Sequence, residues 1–98
     1  MKTESYDAFL QEQLRDPELA AEYLTAAIEE DSPELFLIAL RNVAEAHGGI
    51  GAVADAAHLN RQTMYRTLSS EGNPTLSTLL TILRAVGLNL SFTPATPA

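Results

Sequence analysis

The apolar positions of this chain mostly recur three and four residues apart, the spacing of helices that bury one face. Tyr6, Phe9, Leu10 and Leu14 form such a stripe within residues 5–15 and predict a first helix. Asp16-Pro17-Glu18 is a start signal: an N-cap, a proline at the first helical position and an acid near the positive end of the helix dipole. The helix predicted from it, over residues 17–30, stacks Ala20, Tyr23, Leu24, Ala27 and Ile28 on one side. Ser32-Pro33-Glu34 repeats the signal. The next helix is expected to run to about His47, burying Leu35, Phe36, Ala39, Leu40 and Val43, and to stop at Gly48-Gly49. Further on, Glu71-Gly72-Asn73-Pro74 reads as a turn and Thr75 as a cap. Leu76, Leu79, Leu80, Leu83 and Val86 then form the buried stripe of a last helix ended by Gly87.

Beyond Gly87 the period changes from 3.6 to 2. Leu88, Leu90 and Phe92 alternate with Asn89 and Ser91, the pattern of a short half-buried strand. A lone strand cannot satisfy its own backbone, and the chain offers no second convincing one. Two readings stay open. The segment pairs with its copy in a twofold dimer through Leu88, Leu90 and Phe92, or it lies as an extended tail across the core. The last residues, Thr93 to Ala98, are Pro-rich and read as disordered. The pattern as a whole predicts an all-α fold, a bundle of about five or six helices with a short C-terminal strand.

The most informative stretch is Ile50 to Ser69. It reads as a short Ala-rich helix, a polar turn and a second helix with polar residues on its outer side. Val53, Ala54 and Ala57 share one face of the first helix, and Ala54 is small where two steeply crossing helices must approach. Leu59 anchors the turn, and Asn60 is a good N-cap for the second helix. Met64 and Leu68 must face inward, which turns Gln62, Tyr65, Arg66 and Ser69 outward, with Arg61 near the tip. This is the arrangement of a helix-turn-helix, whose second helix enters the major groove. Gln can bond adenine, Arg guanine, and Ser or Thr base edges or phosphate. The candidate DNA-contacting set is Asn60, Arg61, Gln62, Thr63, Tyr65, Arg66 and Ser69. His58 stands where Gly is usual at the first turn position, and histidine tolerates positive φ better than most residues. The plainer alternative is a structural helix pair that never meets nucleic acid.

Charge sharpens the division. The net of −7 is unusual for a DNA binder, but residues 1–34 hold ten acids against Lys2 and Arg15, a net of −8. Residues 35–98 hold Glu45, Asp55 and Glu71 against four arginines, a net of +1. Such asymmetry suggests two surfaces with different partners, though a solvated helix face would also explain the acids. The organisation read from it is an acidic N-terminal helical segment (1–31), a helix-turn-helix domain with its C-terminal strand (32–92) and a disordered tail (93–98).

Chemistry of other kinds finds little support. There is no cysteine for a disulfide or thiolate site. His47 and His58 lie eleven residues apart without carboxylates at ligand spacing, and no phosphate loop or nucleophile motif occurs. The reading is therefore of a non-enzyme with no metal and no cofactor. The start of the chain does not resemble a signal peptide, and no apolar run is long enough to span a bilayer. A cytoplasmic protein is expected.

Several runs carry a resemblance: Leu14-Arg15-Asp16-Pro17-Glu18, Ala20-Ala21-Glu22-Tyr23-Leu24, Glu34 to Arg41, Leu59 to Arg66 and, most specifically, Leu68 to Leu80. They resemble the probable addiction-module antidote family, similar to the antitoxins of higBA-like and relBE-like modules. The resemblance covers nearly the whole chain. It implies a lambda-repressor-like helix-turn-helix, a homodimer, repression of the chain's own operon at operator DNA, and a small basic toxin as partner. The acidic segment would cover the toxin's cationic surface, with Tyr6, Phe9, Leu10 and Glu12 as candidate toxin-binding residues. The alternatives are a stand-alone or prophage-type repressor without a toxin, and a helical adaptor that works by protein contact alone.

Overall fold

The computed structural model describes the backbone of residues 2–96 and the side chains of residues 6–96. Among the described residues there are six helices: α1 (Lys2–Leu14), α2 (Pro17–Glu29), α3 (Pro33–Ala46), α4 (Ile50–Ala57), α5 (Arg61–Thr67) and α6 (Leu76–Ala85).

The caps form as the sequence predicts. Asp16 accepts from the Glu18 amide at the head of α2, Ser32 from Leu35 at the head of α3, and Thr75 from Thr78 at the head of α6. Each satisfies an amide that has no partner within its own helix. The ends are also specified. Gly87, at φ 82°, closes α6 while the Leu88 amide reaches back to the Leu83 carbonyl at 2.9 Å. That five-residue return places Leu88 against the core, as expected when a left-handed residue ends a helix.

α3 is the central strut. It packs on α1 and α2 on one side and on α4 on the other, and α4 in turn carries α5 and α6. One continuous apolar cluster results, running from Leu14 through Leu40, Val43, Ala54, Met64 and Leu68 to Ile82 and Val86. Each large side chain buried this way contributes about 2 kcal/mol before entropy is counted. Ala54 has no exposed surface, consistent with its place at the close crossing of α4 with its neighbours. A polar tie joins α2 to α3: Asn42 Nδ2 donates to the Tyr23 hydroxyl at 2.8 Å.

Three expectations are corrected. Residues 88–96 form no strand among the described residues, because nothing beside them presents a backbone edge to pair with. Leu35 and Leu76, read as core, are exposed, since each sits in the first turn of its helix, beyond the layer it enters. Ile28, placed on the buried side of α2, is likewise exposed near that helix's end. Leu37, Ala44 and Ile82 are buried in the core instead. The third helix ends at Ala46 with His47 as its C-cap, where the sequence placed its end. Of the tail read as disordered, Pro97 and Ala98 lie outside the described residues.

Candidate nucleic-acid interface

The geometry of α4, its turn and α5 is set by backbone chemistry. His58 adopts the left-handed conformation at φ 58° and closes α4. The following Leu59 amide donates to the Ala54 carbonyl at 2.8 Å, the same return seen at Gly87. Leu59 is thereby drawn onto the core. Asn60 then opens α5, its Oδ1 accepting from the amides of Gln62 at 2.8 Å and Thr63 at 3.2 Å. Three residues thus join the two helices, with His58 capping the end of α4 and Asn60 the start of α5.

Met64 and Leu68 are fully buried, which fixes the roll of α5. Arg61, Gln62, Thr63, Tyr65 and Arg66 are all exposed. Two members of the candidate set have other employment. The Asn60 side-chain oxygen is taken by its cap. Ser69, half-buried, donates from Oγ to the Arg66 carbonyl at 2.8 Å and accepts from the Glu71 amide at 3.3 Å. These bonds shape the chain into the turn after α5. There Gly72 is required: a Cβ would lie 1.9 Å from the Thr67 carbonyl oxygen, a backbone atom that cannot step aside.

Three residues that sequence reasoning passed over border this face. Arg41 of α3 lies over the Tyr65 ring, 5.6 Å from its centroid, and approaches Glu45 at 3.9 Å. Asp55 of α4 accepts from Arg61 Nη2 at 3.1 Å. Gly51 leaves room for the Arg61 side chain, whose Cζ lies 3.0 Å from where a Cβ would stand. An arginine excess and helical spacing were legible in the sequence; these pairings across elements were not.

Elsewhere, Tyr6, Phe9 and Glu12 are exposed on α1, while Leu10 is half-buried against the core. Leu88 packs on the core, but Leu90 and Phe92 are exposed, Phe92 to 88%. Among the described residues no group of three or more His, Cys, Asp or Glu could hold a metal ion. No helix among them is long and apolar enough to cross a membrane.

Among the described residues the structure is all-helical, and its short polar helix α5 is seated by the buried Met64 and Leu68. The chain belongs to the family of probable addiction module antidote proteins, whose model matches residues 2–94. This family is one of antidotes, not enzymes. An uncharacterized protein of Haemophilus influenzae is similar, 39% identical over 70 residues that span 71% of this chain and 69% of the relative. No solved structure matches the chain significantly.

Proposed function

We propose that the chain is the antitoxin of a type II toxin–antitoxin module, which neutralises a basic toxin by direct binding and represses its own operon. In this reading α4 and α5 are a helix-turn-helix of lambda-repressor type, and α5 is the recognition helix. The single observation that carries it is the exposure of Gln62, Thr63, Tyr65 and Arg66 over a buried Met64–Leu68 base, in a chain of an antidote family. Gln62 and Arg66 have the side chains that read base edges, and Thr63 one that reaches phosphate.

The toxin surface in this reading is α1. Tyr6 and Phe9 stand 63% and 60% exposed on a helix that also carries Asp7 and Glu12. Apolar anchors ringed by acids fit a cationic partner: the charges speed encounter and the aromatics hold it. Toxin binding would also cancel part of the acidic third's repulsion of DNA, so the complex binds the operator more tightly than the free chain.

Two measurements test this. Co-expression with the neighbouring short reading frames should yield one basic product that co-purifies with the chain and is harmless in its presence. Gel-shift titration on the chain's own promoter should show binding that tightens when that product is added at low ratio. No co-purifying neighbour would remove the antitoxin reading, and no shift on the promoter would remove the repressor one.

A further inference from the structure

The acids of the C-terminal two thirds are few, and their placement is not random. Of Glu45, Asp55 and Glu71, the first two each sit within 4 Å of an arginine on or beside α5: Glu45 beside Arg41 and Asp55 beside Arg61. Arg66 has no acidic partner at that distance among the described residues. Arg61 is the most firmly occupied. Its Nη2 donates to Asp55 Oδ2 at 3.1 Å, and Cζ, Nε and Nη1 all lie 3.0 to 3.2 Å from the point a Gly51 Cβ would occupy. Three guanidinium atoms at nearly one distance mean that the group lies flat over the bare backbone of α4. The guanidinium is thus folded back from the tip of α5 onto the preceding helix.

We infer that Asp55 acts as an internal stand-in for DNA phosphate, holding Arg61 in a latch that duplex must displace. The inference rests on the reading of α5 as the DNA-contacting helix. Both partners are exposed, Arg61 to 64% and Asp55 to 67% of their side chains, so the pair is in water and weak. A phosphate oxygen offers the same bonds to the same guanidinium at higher local charge, so the exchange is open. Its cost falls on every duplex alike, because phosphate contacts carry no sequence information. The latch lowers indiscriminate binding in a protein with few cations, and leaves Gln62 and Arg66 to discriminate. Gly51 is the permissive partner, since a Cβ there would stand 3.0 Å from Cζ and make the guanidinium give by a few tenths of an ångström.

The test is a double-mutant cycle read by fluorescence anisotropy on the chain's own promoter and on unrelated duplex. Asp55→Asn should tighten binding to both by about two- to fivefold, with little change in the slope of log K against log salt, because Arg61 meets the same phosphate in either complex. In an Arg61→Gln background the same change should do nearly nothing. Circular dichroism reports whether each variant keeps its helices. Equal tightening by Asp55→Asn with and without Arg61 would mean that Asp55 merely repels DNA at a distance, and the latch would be wrong. So would a wild-type chain that binds its promoter and an Asp55→Asn variant that binds no better. If no variant binds any duplex, the reading of α5 falls, and the latch falls with it.

Discussion

The guanidinium of Arg41 lies over the ring of Tyr65, 5.6 Å from its centroid, and so ties the central helix α3 to the exposed side of α5. The two residues are 24 positions apart, and only the fold brings them together. A partly exposed cation–π contact of this kind is worth about 0.5–1 kcal/mol. Arg41→Ala and Tyr65→Ala should each lower the urea midpoint slightly, and the double variant should lose less than their sum. Strict additivity in the cycle would show that the two side chains do not interact in solution.

His58 holds a left-handed conformation that costs a side chain roughly 1–2 kcal/mol relative to its preferred backbone, a cost glycine does not bear. Its ring is exposed, so removing it forfeits little packing. His58→Gly should therefore raise stability by about 0.5–1 kcal/mol despite glycine's greater freedom in the unfolded chain. A thermal melt of the pair decides it; a lowered Tm would mean that the imidazole makes a contact worth more than the strain.

Gly72 gives the opposite result. A methyl group there would meet the Thr67 carbonyl at 1.9 Å, so the turn joining α5 to α6 must open. Because Leu68 sits fully buried beside that turn, opening it disturbs the core. Gly72→Ala should cost more than about 2 kcal/mol, a value reached by strain and lost packing together. Chemical denaturation showing a loss under half that size would place the turn in a different conformation.

Much of this was legible because helix signals are local. Asp16, Ser32, Asn60 and Thr75 each cap the helix they precede, and Gly87 and His58 end theirs through left-handed backbones. Met64 and Leu68 set the roll of α5 by spacing alone. What escaped is long-range or terminal. The pairing of Asp55 with Arg61 spans a turn, and that of Arg41 with Tyr65 spans two helices, so neither shows in any periodic pattern. Leu35 and Leu76 fit their stripes in register, yet a first-turn residue overhangs the layer. The alternation of Leu88, Leu90 and Phe92 describes only an extended backbone; hydrogen bonding to a neighbour is what makes a strand, and a single chain does not contain it.

The aromatic pair on α1 separates stability from partner binding. Tyr6 and Phe9 bury little of their surface in the free chain, so Tyr6→Ser with Phe9→Ser should shift the melting temperature only slightly. If they anchor the toxin, the same double variant should lose at least a hundredfold in affinity for it, since two central aromatics commonly supply that much of an interface. Isothermal titration against the co-purified toxin measures the loss. Unchanged affinity would move the toxin site off α1.

The tail poses the last question, and its chemistry narrows the answer. Residues 87–98 contain no charged side chain, in a protein whose net charge is −7. Two copies of the acidic surface of residues 1–34 would repel one another; two copies of this segment would not. It lines one side of a groove of about 510 Å³ with Leu24, Ile28, Phe36 and Leu83 on the other, where Leu90 is partly covered and Phe92 stands 88% exposed. Antiparallel pairing of two tails would give their backbones the partner each lacks alone and would cover both phenyl groups. Phe92→Asp should then convert a dimer to a monomer in sedimentation velocity while leaving helix content unchanged, because the ring contributes nothing to the core of one chain. The absence of cysteine supplies an independent check. Ser91→Cys, the sole thiol in the protein, should form an intermolecular disulfide on mild oxidation if the twofold axis runs near it. A wild-type chain that sediments as a monomer at operator-binding concentrations would dismiss the pairing and leave α5 to find its operator without a twin.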